Sequence, residues 1–314
     1  MSKAAPFMIV MVLLAGMGNV SAERLCVVSY NVENLFHPEK DSLKDDGEWT
    51  PDGERRWSYT RYNRKVENIA QALTNIGEWE GVDAVGLQEV ENALCVKKLC
   101  HTLRRGEYGF VHYESPDRRG IDVAFIYKKS RIDTINTKAI QVDLGEETTR
   151  DILYVCSKIK PSGDTVHFMV CHLPSQRGGA KASQWKRDRA KRVLQTAVDS
   201  VLNVIPDAKI VVMGDMNSEP KDDIRGLRNK MKDERMKETG THKYQGQWTC
   251  LDQFYVSPAM DSISRADIYD AEWIQETDEK YMGLKPKRTY NGFQYQSGYS
   301  DHLPIILDVR LSNL

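Results

Sequence analysis

The sequence predicts a mixed α/β protein whose sheet structure includes antiparallel pairs. Short apolar runs of strand length are interspersed with longer helical patterns along the whole chain. Between residues 123 and 171 several strand-like runs follow one another with no helix between them. A purely parallel, doubly wound sheet would need a long crossover at each of those steps, so antiparallel pairing must occur there. A chain of 314 residues, 40% apolar and 9% aromatic, can also bury a substantial core. No internal repeat or low-complexity linker interrupts it, and one catalytic-sized domain over 23–314 is the expectation.

In chain order, the first predicted strand is 25–30 (LCVVSY), a β-branched and aromatic run. A helical pattern follows at 62–76, then a strand at 84–88 (AVGLQ) and a second helix at 93–102. Strands at 123–127 (VAFIY), 153–158 (LYVCSK) and 166–171 (VHFMVC) come next. The longest helix is predicted at 181–202, followed by strands at 209–213 (KIVVM), 253–256 (QFYV) and 303–309 (LPIILDV). Two long segments read as loops: 37–61, rich in charge and tryptophan, and 265–300, with glycine and tyrosine near its end. Loops of that length in a compact domain are usually functional or disordered.

The first 22 residues have the pattern of a secretory leader: Lys3, an apolar stretch over 7–15, then Val20, Ser21 and Ala22 as a small-residue cleavage site. The apolar stretch falls short of the roughly 20 residues a bilayer span requires. Export to the periplasm or the extracellular space, with cleavage after Ala22, is therefore expected, leaving no transmembrane segment in the mature chain. The net charge of −1 argues against a generally basic surface that coats nucleic acid and leaves room for local basic patches. Of six cysteines, Cys26, Cys156, Cys171 and Cys250 lie in or beside apolar runs, where thiols pack as small hydrophobes. Cys95 and Cys100 are five apart on a predicted helix and do not share a face, so free thiols are expected throughout. The sequence suggests no protein partner, and a monomer is expected.

Chemistry is concentrated in short polar motifs that end or open apolar runs: SYNVEN, LQEVEN, VCHLPS, VVMGDMNS, CLDQFYVS and GYSDHLPI. They place Asn31, Glu89, His172, Asp215, Asn217, Asp252, Asp301 and His302 at strand ends. A carboxylate at the rim of a packed sheet is costly unless paired, and a bound cation would remove that cost. Glu89 and Asp301 are accordingly the leading metal carboxylates, and hard oxygen donors suit Mg2+ or Mn2+, with Ca2+ also compatible. The plainer readings are that Glu89 caps the following helix and that Asp301 merely opens a strand. Asp215 and Asn217 are two apart after a β run, so an extended chain turns both to one side, suited to orienting a water and contacting a phosphoryl oxygen. Gly-Asp-x-Asn is equally good turn chemistry. His302 reads as an acid/base or phosphate-contacting imidazole, with Asp252 as its orienting carboxylate. His172 is a second imidazole held by its strand.

These motifs, in this order, resemble the endonuclease/exonuclease/phosphatase superfamily, the fold of pancreatic-type deoxyribonuclease, abasic-site endonuclease, bacterial sphingomyelinases and inositol polyphosphate 5-phosphatases. The resemblance covers residues 24 to about 310, and LQEV, GDMN and SDH are its most specific parts. It implies a four-layer α/β sandwich, two mixed sheets face to face with helices outside and the active site at one end. It places Asn31, Glu89 and Asp301 at the metal, Asp215 with Asn217 at the nucleophile and phosphate, and His302 with Asp252 as a pair. His172 falls at the position of a phosphate-binding or leaving-group histidine. Glu33 stands where several members carry aspartate, and Asp122 is a candidate to orient His172. The acceptor of the water proton is left open between Asp215 and His302.

For the substrate, GERRWSYTRYNRK interleaves Arg55, Arg56, Trp57, Tyr59, Arg61 and Tyr62, a composition suited to a nucleic-acid strand. The alternative is a helix lead-in that packs Trp57 on the body. Arg288 and Tyr290 in KPKRTYNG, and Arg118 with Arg119, are further candidate substrate contacts. The 37–61 loop, HLPSQRGG and RTYNG also resemble a secreted bacterial branch described as extracellular nucleases. A metal-dependent phosphodiesterase acting on DNA or RNA is the leading expectation. A phosphatase or phospholipase C-like hydrolase is the alternative, although no apolar membrane-docking hairpin is evident in the sequence. A catalytically inactive binding module on the same fold would be expected to lack a metal carboxylate or the SDH histidine, and both are present.

Overall fold

The computed structural model describes residues 23–104, 106–176, 178–220, 224–232 and 239–311. The predicted leader lies outside them. Elements run β1 (Glu23–Leu35), α1 (Tyr59–Gly77), β2 (Ala84–Val90), α2 (Ala93–Leu103), β3 (Tyr108–His112), β4 (Asp122–Lys128), β5 (Ile132–Ile140), β6 (Ile152–Ile159), β7 (Thr165–His172), α3 (Gln184–Val204) and β8 (Lys209–Asp215). They continue with β9 (Arg228–Asn229), β10 (His242–Tyr244), β11 (Gln247–Thr249), β12 (Asp252–Val256), α4 (Pro258–Asp261), β13 (Ser264–Ile268), β14 (Gln275–Thr277), β15 (Leu284–Pro286), β16 (Tyr290–Asn291), β17 (Gln294–Tyr295) and β18 (Ile305–Leu311).

Two six-stranded sheets are formed, ordered β13-β18-β1-β2-β4-β3 and β5-β6-β7-β8-β12-β9. Each contains one parallel pair, β1 with β2 and β7 with β8, and its other pairs are antiparallel. The parallel pairs are joined by α1 and α3, since a parallel neighbour can be reached only by a crossover.

Side-chain alternation explains the layering. Leu25 and Val27 of β1 face Phe168, Val211 and Met213 between the sheets, while Cys26, Val28 and Tyr30 face outward beneath α1 and α2. Ile210 and Val212 of β8 likewise face outward under α3. The order is therefore helices, sheet, sheet, helix, the expected four-layer sandwich.

Local sequence accounts for the helices. Val66, Ile69, Ala70, Leu73 and Ile76 give α1 a buried stripe, and the Ser58 side chain accepts from Arg61 N at its start. Asn92 caps α2 in the same way through Cys95 N at 3.0 Å. All six cysteines are unpaired and buried.

β3, β5, β9, β10, β11 and β13 have no counterpart among the strands expected from the sequence, and 265–300 is expected as a loop. That segment instead carries most of β13 and two small hairpins, β14 with β15 and β16 with β17. β13 alternates buried and exposed over only five residues, and β5 is an edge strand whose outward residues are polar, so neither shows an apolar run.

Candidate active site

The carboxyl ends of the four parallel strands point the same way, and the motif residues sit there: Asn31 near the end of β1, Glu89 in β2, His172 ending β7 and Asp215 ending β8. The antiparallel β12 enters at that edge with Asp252, which pairs in register with Asp215. Gly214 makes the β8 end possible. Its φ is 143°, and a Cβ there would lie 1.9 Å from the Cys171 carbonyl oxygen on β7.

Backbone conformations that L-residues rarely adopt gather at this edge: Glu33 (φ 51°), Asn34 (57°), Glu89 (65°) and Asn217 (48°). The register also slips between Asn31 and Leu35 on β1 and between Gln88 and Val90 against β4. Such bulges re-aim side chains. Glu89 is turned inward by one, its Oε2 accepting from Asn34 N at 2.9 Å and its Oε1 lying 3.9 Å from His172 Nε2.

Asp215 is the hub. Its Oδ2 accepts from Asn31 Nδ2 at 3.1 Å and lies 3.6 Å from His172 Nε2 and 3.9 Å from His302 Nε2. Its Oδ1 accepts from Asn217 N at 2.8 Å. Burial pushes the Asp215 carboxyl up to about 7, against the pull of His302. His302 Nδ1 lies 2.7 Å from Asp252 Oδ2, so the expected pair is formed. Burial disfavours the imidazolium, but Asp252 and then Asp215 and Asp301 outweigh it and hold His302 well above the ordinary histidine range. His172 moves the opposite way, lowered by burial and by the Arg150 and Arg119 charges, and is neutral. The Asn217 amide donates to Leu173 O at 3.0 Å, tying the β7 end to the β8 end.

Asp301 reaches the same edge, with Arg288 Nη2 on its Oδ2 at 2.9 Å. Burial raises its carboxyl, but His302, Arg288, His242 and Lys65 together bring it below the usual range. Arg288 also extends Nε to Glu33 Oε1 at 3.4 Å, and Thr289 N donates to Glu33 Oε2 at 2.6 Å. Glu33, Glu89, Asp215 and Asp301 thus bring hard oxygen donors to one edge. Glu89 Oε1 lies 3.9 Å from neutral His172, beyond hydrogen-bond distance, and the set fits a divalent cation.

Other expectations are corrected. Tyr290 is 3% exposed, its hydroxyl bonded to Arg55 O and its ring against Trp49 and Trp57, so it is a core residue and not a substrate contact. Trp57 is fully buried with its indole N–H on Phe36 O, and Arg55 and Arg61 lie over Trp49 and Tyr295. The basic and aromatic run over 54–65 is therefore mainly packing. Arg119 remains at the site, two-fifths exposed and held by Asp117. Asp122 does not orient His172. It accepts from Ser115 and pairs with His112, while His172 Nδ1 is buried without a hydrogen-bond partner.

Three site residues were not anticipated. Arg150 is buried, bonded to Asp117 Oδ2 and Leu173 O, and opens an apolar strand as the recognised motifs do, a signal that was present. Lys65 is on the helix face and buried, and His242 packs its ring 4.9 Å from that of His302. His242 follows no apolar run, so nothing local marks it.

Glu91, beside the site, gives a pH test. Burial raises its carboxyl to about 8, although His37 N donates to it. The folded state thus holds this proton more tightly than the unfolded chain, whose glutamate titrates near ~4.3. The contribution to stability is full below that value and is lost as pH rises through about 8. Urea midpoints of Glu91→Gln are expected to fall less between pH 5 and pH 9 than those of the wild type, and equal falls would contradict the assignment.

Acid/base groups with diverging proton affinities, beside a carboxylate cluster that fits a cation, define a hydrolase site of the phosphoester-cleaving kind. The chain belongs to the Endonuclease/Exonuclease/phosphatase family, whose model matches residues 26–311. No curated protein matches the sequence. Its fold is similar to that of truncated Caenorhabditis elegans TDP2 (16% identity, 93% of this chain and 100% of that one, TM-score 0.60). It is also similar to the human Nocturnin catalytic domain with bound sulfate anion (17% identity, 91% and 93%, TM-score 0.56). The Bacteroides thetaiotaomicron mannosyl-6-phosphatase has the same fold (16% identity, 90% and 98%, TM-score 0.56).

Proposed function

We propose that this protein is a metal-dependent phosphodiesterase that cleaves DNA or RNA by attack of an activated water. The observation that carries the reading is the Asp215–His302–Asp252 arrangement, in which one buried carboxyl is held near 7 and the adjacent imidazolium is held protonated. Asp215 accepts the water proton, since it is the group that changes charge near neutrality. His302, kept cationic by Asp252, donates to a phosphoryl oxygen. Neutral His172 donates Nε2–H toward the leaving oxygen, and Asn217 fixes the Asp215 carboxylate through its backbone N–H. Asn31, Glu89 and Asp301 would hold Mg2+ or Mn2+, which neutralises phosphoryl charge when bound. Arg119 supplies a cation for a neighbouring phosphate, and Arg288, engaged with Glu33 and Asp301, orders the metal side of the pocket.

The mature chain, exported after removal of the 1–22 leader, should nick supercoiled plasmid in magnesium. EDTA and Asp215→Ala should each abolish nicking. A folded, metal-loaded protein with no cleavage of DNA or RNA would reject the nuclease reading.

A second reading, a hydrolase of phospholipid headgroups, has one observation in its favour. Tyr244 is 67% exposed, Tyr281 41%, Met282 80% and Leu284 41%, on two hairpins tied together by Lys243 bonds to Met282 O and Leu284 O. Release of phosphorylated headgroup from phospholipid vesicles, without nicking, would decide for it.

A further inference from the structure

A group of side chains of metal-ligand type lies outside the reacting centre, at the base of loop 113–121. His112 ends β3 and pairs in register with Ala124, so Asp122, two residues before Ala124, is its diagonal neighbour on the same face. Glu114 follows His112 by two, and the ligand atoms of all three lie within 4.8 Å of one another.

The His112 and Asp122 side chains are 3% and 1% exposed, and Nε2 and Oδ2 are 3.2 Å apart. Those two atoms are nevertheless out of line for a hydrogen bond, and neither has another hydrogen-bond partner. A buried polar atom without a partner costs about 1–3 kcal/mol, so an ordinary structural pair would be expected to align. Two ligands each ~2.0–2.2 Å from a tetrahedral ion sit about 3.3–3.6 Å apart and do not point at each other, close to the 3.2 Å, unaligned arrangement of Nε2 and Oδ2. The second carboxylate oxygen of Asp122 is already oriented by Ser115, whose N donates at 3.0 Å and whose hydroxyl also donates, as outer partners orient a metal carboxylate. One imidazole with two carboxylates favours a first-row transition ion over magnesium.

We propose that His112, Glu114 and Asp122 bind a zinc ion that clamps the two ends of loop 113–121 together. The loop carries Asp117, which receives Arg119 N at 3.0 Å and Arg150 Nη1 at 3.1 Å, and both arginines act on His172. The ion is thus a positioning element for Arg119, separate from the cation expected at Glu89.

The test uses the full chain, stripped with EDTA, exposed to a slight excess of zinc chloride and desalted. Metal is measured by atomic spectroscopy, a readout independent of any phosphodiesterase activity. Zinc bound near one equivalent is expected in the wild type and in Glu89→Gln, with loss in His112→Asn and in Glu114→Gln. Glu114 is exposed, so that variant decides the matter even where His112→Asn fails to fold. In active preparations Glu114→Gln should raise KM several-fold and leave kcat unchanged, whereas a purely structural ion would lower stability alone. Absence of retained zinc in the wild type, or equal retention in the His112 and Glu114 variants, would overturn the proposal. Loss of zinc from Glu89→Gln alone would assign the metal to the reacting centre and overturn it as well.

Discussion

Asp215→Asn is expected to lower kcat by about 10³ while leaving the protein folded, within the range for loss of a positioned acid or base. The isosteric amide keeps one acceptor for Asn31 Nδ2 or Asn217 N and loses the other. Against that loss stands the relief of burying a carboxylate, which already holds the Asp215 carboxyl near 7. The melting temperature should therefore move little. Since Asp215 must be deprotonated to accept a proton, wild-type kcat/KM should rise with pH through about 7, and this limb should vanish in the variant. His302→Ala should lose a comparable factor, and the double variant should be little worse than either single one, because the base and the phosphoryl-oxygen donor act as a unit in one transition state. Additive losses, or a rising limb that survives in Asp215→Asn, would remove Asp215 from the role of base.

Lys65→Met is expected to cost roughly 3 kcal/mol of folding stability, the cost of leaving a buried charge without its partner. Lys65 is 1% exposed, and its ammonium donates to Thr289 Oγ1 at 2.5 Å and Tyr299 O at 2.6 Å and lies 3.9 Å from Glu33. Neighbouring Asn68 donates to Ser297 O and Gly298 O, so this side of α1 holds the segment that ends at Asp301 and His302. Methionine keeps the stem volume and removes all three polar contacts. At about 2 °C per kcal/mol for a chain of this size, the melting temperature should fall by ~6 °C. A urea midpoint within error of the wild type would show that Arg288 and Thr289 alone satisfy Glu33.

Each motif that the sequence marks sets a carboxylate, carboxamide or imidazole beside an apolar run, and that local pattern singles out Asn31, Glu89, His172, Asp215, Asn217, Asp252, Asp301 and His302. The structure brings them to one edge because four parallel strands end there and β12 begins there. Arg150 carried the same local signal and was overlooked. Lys65 and His242 carried none, since each is defined by a partner far away in sequence: Thr289 and Glu33 for the first, His302 for the second.

The sequence by itself determined the mixed α/β class, the order of the principal strands and helices, the free thiols and the residues offered for chemistry. Periodicity and strand-end polarity are properties of neighbours along the chain, and they survive any tertiary arrangement. Only the tertiary structure decided which aromatic and basic residues face a substrate. Trp57 and Tyr290 are of types that suit a nucleic-acid surface, yet they pack edge-on against Trp49 in the core, while Asp122 turns to His112 and leaves His172 alone. Burial and pairing depend on how segments pack against one another, near in sequence for His112 and Asp122 and far for Trp57 and Tyr290, and residue composition does not carry that information.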